Sequence, residues 1–266
     1  MNKSLFLPTT ILFLAAFQMP ASEQLEIKII NASNNAIINS GFLVGTSSGQ
    51  QIKSIEVVPD KLQAQKAEGV TVWKYKLPTV RDGWKNKESR SFSIRGLGET
   101  GEVLLEKTIL LTRGKNLDIN GDGFADMVMG DHLYDHTRGA IFVYHGDKQG
   151  IKSDVRGKKA DMVFKEKNTG GHFGKTIVIE DFNQDGYGDV VASHFDQSRI
   201  EAYVYNGSIN GINTPVVINV LNDQNKAGYF GVSFLVGDLS LKGFFKLLVQ
   251  KITKKKKENI PVEINK

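Results

Sequence analysis

Oxygen-bearing side chains recur on alternate residues in two short stretches of the chain. They occupy positions 1, 3, 5 and 9 of each stretch, with glycine at position 6 and an aromatic residue at position 7. We call residues 118–126 the first acidic loop and residues 181–189 the second acidic loop. The side chains are Asp118, Asn120, Asp122 and Asp126 in the first, and Asp181, Asn183, Asp185 and Asp189 in the second. Such oxygen ligands, turned inward by a glycine, suit a hard cation such as Ca²⁺. An acidic turn between strands would explain a single copy, but the duplication predicts two calcium sites.

The residues that follow the acidic loops argue against an EF-hand. That motif needs a glutamate at position 12 and a helix on each side of the loop. Position 12 is Met129 in one copy and Ala192 in the other. Short apolar runs at 127–129 and 190–192 predict buried strands, so each acidic loop is expected to join two strands.

Length and composition bound the class of protein. A chain of 266 residues has room for about two domains, and the absence of cysteine excludes a disulfide framework. The net charge of +5 comes from lysines near the C-terminus, so a nucleic-acid surface is not predicted. Residues 251–266 are predicted to form a solvated basic tail.

The N-terminus is typical of a secretory signal. Lys3 precedes an apolar run, and Pro20-Ala21-Ser22 offers a cleavage site after residue 21. The run is too short to span a bilayer comfortably. Residues 1–21 are therefore predicted to direct export and to leave no transmembrane span, with a retained anchor as the alternative.

Residues 22–113 carry short alternating segments separated by turn residues. This pattern predicts a β-sandwich, in which residues 62–68 are the one segment that could form a helical turn or two. Trp73 is predicted in the core and Trp84 in a loop, with a sugar-stacking pair as the alternative. The segments Trp73-Lys74-Tyr75, Phe92-Ser93-Ile94-Arg95 and Gly101-Glu102-Val103 resemble the bacterial immunoglobulin-like domains of surface proteins. The resemblance weakens at 81–89, where the usual short turn is longer and charged.

Residues 114–250 repeat at a spacing that suits one four-stranded blade per copy. Phe173-Gly174 precedes the second acidic loop, Phe230-Gly231 precedes a damaged third copy starting at Asp238, and aromatic-rich segments at 139–146 and 200–207 follow the first two loops. Together these residues resemble the FG-GAP repeat of integrin α-subunit β-propellers and of many exported bacterial proteins. The resemblance implies a Ca²⁺ ion in each acidic loop. Its ligands would be Asp118, Asn120, Asp122, Asp126 and the carbonyl of Phe124, then Asp181, Asn183, Asp185, Asp189 and the carbonyl of Tyr187.

The repeats also depart from that pattern. The first copy lacks Phe-Gly, and the third has Lys242 and Lys246 at positions 5 and 9, where an ammonium group opposes a cation. Two whole units and part of a third cannot close a ring, since propellers use four to eight blades. An open array, closure by self-association and a truncated relic all remain as interpretations. The predicted fold class is all-β: a sandwich followed by two to three propeller-type blades.

The predicted function is an exported, calcium-stabilised binding or adhesion module that performs no chemistry. Its expected partner is a protein or glycan at a cell surface. The alternative is the scaffold of a propeller-type hydrolase or lyase, for which Asp131, His132, Asp135 and His136 are the candidate metal cluster. The sequence contains neither a nucleophile elbow nor a phosphate-binding glycine loop nor an H-E-x-x-H helix, so the binding module is preferred.

Overall fold

A computed structural model describes residues 24–151, 159–167, 169–195, 200–221, 231–235, 248–253 and 256–260. The predicted signal at 1–21 and the third acidic loop from Asp238 lie outside the described residues. Within the ranges that are described, no helix has the length and apolar character needed to cross a membrane.

Eight strands form two sheets in the first part of the chain. One sheet has the order β1-β3-β6 and the other the order β2-β8-β7-β4-β5. All neighbours are antiparallel except β2 and β8, which run parallel. The strands are β1 (Glu26–Ile29), β2 (Ala36–Ile38), β3 (Phe42–Ser48), β4 (Ser54–Pro59), β5 (Gln65–Lys66), β6 (Val72–Lys76), β7 (Ser89–Leu97) and β8 (Val103–Arg113).

Alternation of apolar and polar residues creates the core between these sheets. Successive side chains of a strand point to opposite faces, so Ile55 and Val57 of β4 lie inside with Phe92 and Ile94 of β7, all fully buried. Trp73 and the other buried apolar residues of both sheets join the same cluster. Residues 24–113 therefore fold as a two-sheet sandwich, while the immunoglobulin-like assignment and the domain limits at 22–113 and 114–250 stay predictions.

One local prediction for the sandwich was wrong, and the burial of the loop residue Trp84 was not predicted. Residues 62–68 do not form a helix, because β5 pairs with the edge of β4 at Glu56 and Val57. Trp84 lies in a turn but is fully buried. Its ring meets Phe92 edge-on at 5.1 Å, and its indole N–H donates to the carbonyl of Glu88 at 2.9 Å. The turn can bury this side chain because Phe92 packs against its ring and the carbonyl of Glu88 accepts the hydrogen bond of its indole N–H.

The next strands form two antiparallel sheets packed face to face. The first has the order β11-β10-β9 and the second is a four-stranded meander, β12-β13-β14-β15. They share one apolar cluster that includes Ile119, Ile141, Phe173 and Val190. The elements are β9 (Met127–Asp131), the short turn α1 (Tyr134–Thr137), β10 (Ala140–Tyr144), β11 (Met162–Lys165), β12 (Ile177–Glu180), β13 (Asp189–Phe195), β14 (Ile200–Tyr205) and β15 (Val216–Leu221).

A third sheet follows, with the order β16-β17-β18. Its strands are β16 (Gly231–Leu235), β17 (Leu248–Thr253) and β18 (Lys256–Ile260). The last two strands extend into residues 251–260, while the basic tail at 251–266 stays a prediction. They pair antiparallel, with Lys251 in register with Glu258. The sheets are open, and no closed barrel occurs in the described ranges, so the predicted all-β class with blade-type sheets is confirmed.

Candidate functional site

Each acidic loop connects the strands on either side of it, and its last aspartate closes it. Asp126 Oδ2 accepts hydrogen bonds from the backbone N–H groups of Ile119 at 2.7 Å and Asn120 at 3.4 Å, while Oδ1 accepts from Gly146 N–H at 2.8 Å. Asp189 makes the same three bonds with the equivalent amides, at 2.9, 3.3 and 2.9 Å. The position-9 carboxylate therefore ties each loop to the glycine that follows the second strand after that loop, β10 or β14.

The middle of each loop also has the same bonding in both copies. In the first loop Asn120 Nδ2 donates to Asp122 Oδ2 at 3.0 Å, and Asp122 Oδ1 accepts from Phe124 N–H at 2.9 Å. In the second loop the equivalent bonds, from Asn183 and from Tyr187 N–H to Asp185, are both 2.9 Å. The repeat seen in the sequence is thus a repeat of geometry.

The first aspartate of the first loop is fully satisfied. Asp118 is completely buried. Its Oδ1 accepts from Gly121 N–H at 2.6 Å and Asp122 N–H at 3.1 Å. Its Oδ2 accepts from Gly123 N–H at 2.9 Å and from the hydroxyl of Ser40 at 2.6 Å. One of these four donors belongs to the sandwich.

The first aspartate of the second loop differs. Asp181 Oδ2 accepts from Gly186 N–H at 3.0 Å. Its Oδ1 is buried and has no hydrogen-bond partner among the described residues. A buried polar atom without a partner is costly in free energy, and a carboxylate oxygen in this situation is suited to a cation.

Burial makes the loops electrostatically unfavourable on their own. It is the main cause that raises the pKa of Asp118 and of Asp181 to about 6 and that of Asp189 to about 7. Neighbouring carboxylates add to this effect, Asp122 beside Asp118 and Asp185 beside Asp181. Hydrogen bonds from Ser40 and from loop amides oppose it but do not cancel it. Each loop therefore favours a neutralising charge.

The donor set of the second loop fits Ca²⁺. It combines an orphaned buried carboxylate oxygen with further oxygen ligands, the kind that hard cations prefer. In the described residues no three His, Asp or Glu side chains converge as a ready metal centre, because most loop carboxylate oxygens bond to amides. The first loop fits less well, since both oxygens of Asp118 already have donors.

The alternative Asp/His cluster does not converge either. Asp131 Oδ1 accepts from Leu133 N–H at 3.0 Å, whereas Asp135 pairs with Arg138 at 2.8 Å and with His136 at 3.1 Å. His132 lies apart from these contacts. The side chains are spread along an exposed turn and do not share a common centre.

Contacts between the sandwich and the acidic loops were missed by sequence reasoning. Asn31 Nδ2 donates to the carbonyl of Gly123 at 2.9 Å, and the rings of Phe42 and Tyr187 meet edge-on at 5.0 Å. Residues 39–41 separate β2 from β3, and Ser40 among them bonds Asp118 of the first loop. We call this set of contacts the sandwich–loop junction. No sequence signal marks it, because its partners are far apart in the chain.

A buried polar group in the second blade was also missed. His194 on β13 is completely buried, with Nδ1 at 3.5 Å from Glu166 Oε2. The hydroxyl of Tyr203 lies 3.0 Å from the same oxygen and 3.3 Å from Glu201 Oε2. The group links β13 and β14 to the segment after β11, which is a structural role.

Sequence comparison with characterised proteins finds integrin relatives, among them two alpha-6 subunits. The chain is 31% identical over 133 residues to integrin alpha-6 of Gallus gallus and 33% identical over 135 residues to integrin alpha-6 of Homo sapiens. The chain contains an integrin α-like FG-GAP region. Each alignment covers 47% of the chain but only 12% and 11% of the two integrins, and no family model matches the chain. The predicted FG-GAP resemblance is confirmed, and the integrin α-like region accounts for about half of the protein.

Proposed function

We propose that the protein is an exported, calcium-stabilised binding module of the integrin α type, which adheres to a protein or glycan at a cell surface and performs no chemistry. The similarity to integrin alpha-6 supports the adhesion role and a location outside the cytoplasm. The signal-like residues 1–21 support export. The chain spans about a tenth of the length of those integrins, so the identity of the partner is not carried over from them.

One observation carries the calcium assignment: the buried Oδ1 of Asp181, which has no partner among the described residues. A bound Ca²⁺ supplies positive charge where burial and Asp185 disfavour the ionised carboxylate. The residues that would hold it are Asp181, Asn183, Asp185 and Asp189 with the carbonyl of Tyr187. Asp189 also holds the loop to Gly207, so the ion site and the blade are one structural unit.

The partner-binding surface is proposed at the strand connections of residues 131–138 and 194–199. In the second connection His194 and Phe195 are buried at the end of β13, and residues 196–199 lie outside the described residues. In the described part of these connections, Leu133 is 58% exposed, and the side chain of His136 is 88% exposed. Exposed apolar and polar groups side by side on a connecting loop are typical of recognition surfaces. The enzyme alternative is not proposed, because Asp135 is engaged by Arg138 and His136.

Thermal unfolding of residues 22–266 in EDTA and then in calcium tests the assignment. A ligand that binds only the folded state stabilises it by about 2.7 kcal/mol at a concentration one hundred times Kd. That corresponds to a rise in Tm of roughly 5–10 °C for a chain of this size. The Asp185→Asn variant is expected to lose this rise. Asp60→Asn is the matched control, since Asp60 is exposed on the sandwich and its substitution removes the same charge.

Two results would contradict the calcium assignment. One is an unchanged Tm of the unsubstituted protein in millimolar calcium. The other is an equal calcium-induced rise in Asp185→Asn and Asp60→Asn. The adhesion role is tested separately, by binding of the protein to arrays of glycans and cell-surface proteins with calcium present. If residues 131–138 form the binding surface, the binding signal is expected to be lost when Leu133 is replaced by serine.

A further inference from the structure

The ammonium group of Lys74 lies against the first acidic loop. Lys74 is on β6 of the sandwich, and its Nζ donates to the backbone carbonyl of Gly121. It is 3.8 Å from the centre of the Phe42 ring and 5.2 Å from that of Tyr187. Burial lowers the pKa of Lys74, whereas the negative charges of Asp118, Glu68 and Asp122 raise it. The carboxylates of the first loop thus already interact electrostatically with a cation, which lies beside two aromatic rings that contact each other edge-on.

The carboxylate whose charge acts most strongly on this cation, that of Asp118, has no free bonding capacity. Both oxygens of Asp118 are hydrogen-bonded, and one of the donors is Ser40, which comes from the sandwich like Lys74. A calcium ion at this position would compete with the ammonium group for the same negative charge. It would also have to displace hydrogen bonds that the folded chain has already made.

The second loop has a lysine in the equivalent place but a different outcome. Lys76 follows Lys74 by two residues, so both point to the same face of β6. Its Nζ donates to the carbonyl of Gln184 at 3.0 Å, the position that corresponds to Gly121. Lys76 is exposed, however, and Asp181 keeps a buried oxygen without a partner. In both loops a lysine of β6 therefore donates to a backbone carbonyl, but only in the first loop does a partly buried ammonium group offset the charge of the carboxylates.

We propose that Lys74 is the resident cation of the first acidic loop, so that the sandwich holds this loop and Ca²⁺ enters only the second. For the second loop the inference rests on the function proposed above. It corrects the ligand set Asp118, Asn120, Asp122, Phe124 and Asp126, which then has a structural role. The junction between sandwich and blades is permanent at the first loop and calcium-dependent at the second.

Isothermal titration of residues 22–266 with CaCl₂ counts the ions bound per chain. One ion is expected in the unsubstituted protein. Asp185→Asn is expected to abolish binding, and Asp122→Asn is expected to retain it. Two ions in the unsubstituted protein, with each variant losing one, would overturn the proposal. So would one ion that is lost in Asp122→Asn and kept in Asp185→Asn.

Melting in EDTA tests Lys74 independently of calcium. Lys74→Met removes the ammonium group beside Asp118, and Lys76→Met is its matched control on the same face of β6. Lys74→Met is expected to lower Tm by about 4 °C or more and Lys76→Met by less than about 2 °C. Lys74→Arg, which keeps the positive charge, is expected to retain most of the Tm that Lys74→Met loses. If no calcium binds to the unsubstituted protein, the proposed function fails, but the melting comparison still tests the role of Lys74. Equal Tm values for Lys74→Met and Lys76→Met would refute that role.

Discussion

Replacing Ser40 with alanine is expected to destabilise the protein by about 2 kcal/mol, because a hydrogen bond to a charged group contributes roughly 1.5–3 kcal/mol. The Ser40 hydroxyl donates to Asp118 Oδ2 at 2.6 Å, and both residues are buried. It also accepts from Phe42 N–H at 2.8 Å. The three loop amides remain on Asp118 after the substitution, so the loss stays near the low end of that range.

Urea unfolding at pH 8 in EDTA measures this change, since Asp118, with a pKa of about 6, is ionised there. Both tryptophans of the chain, Trp73 and Trp84, belong to the sandwich core. Tryptophan fluorescence therefore reports the sandwich, while far-ultraviolet circular dichroism reports all sheets. If the junction couples the sandwich to the blades, the substitution lowers the urea midpoint of their joint transition. The midpoints measured by fluorescence and by circular dichroism then begin to differ.

Ser93→Ala is the control, because the hydroxyl of Ser93 bonds Thr108 at 3.0 Å on the exposed face of the sheet. Its expected effect is below about 0.5 kcal/mol. A double-mutant cycle with Asp118→Asn isolates the pair, and a coupling energy of about 1 kcal/mol or more is expected. Equal stability of Ser40→Ala and Ser93→Ala would refute the view that the junction contributes to folding.

Two further predictions concern charge and close packing at the same junction. In EDTA the stability should fall by a few kcal/mol as pH rises from about 4 to about 7. The folded-state pKa values of Asp181 and Asp189 are raised to about 6 and 7, so the folded state binds more protons than the unfolded state in this window. Urea unfolding at pH 5 and pH 8 measures it, and stability that increases with pH would contradict it. Gly41→Ala should destabilise by roughly 2 kcal/mol or more, since a Cβ atom there would lie 2.0 Å from the carbonyl oxygen of Gly186. Unchanged urea unfolding of that variant would show that the second loop does not pack on the sandwich.

The acidic loops could be predicted from the sequence because their chemistry is local. The hydrogen bonds that Asp122 and Asp185 make in the described part of the chain run to residues within four positions of them. The all-β class followed from equally local alternation of apolar residues. Spacing over a few residues is therefore enough to identify a loop and the strands beside it.

The sandwich–loop junction could not be predicted in this way. Lys74 lies between the core residues Trp73 and Tyr75 and has the pattern of an ordinary strand lysine that faces solvent. Its place beside Gly121 depends on how the sandwich docks on the blades, which no short-range pattern encodes. The burial of Trp84 was missed for a similar reason, since a turn has no periodicity that indicates which ring points inward.

Chain direction separates the acidic loops from the proposed partner-binding connections. β9 begins after the first loop and ends at Asp131, and β13 begins within the second loop and ends at Phe195. Strands of this length span about 15–20 Å, so the connections lie at the far ends of the blades. There the rings of His132 and His172 are 5.9 Å apart, and His172 stacks on Phe195 at 5.1 Å, which joins the two connections into one surface. We therefore expect calcium to act on partner binding by keeping the blades folded, without contacting the partner. Under conditions in which the protein is fully folded in EDTA, partner affinity should be the same with and without calcium.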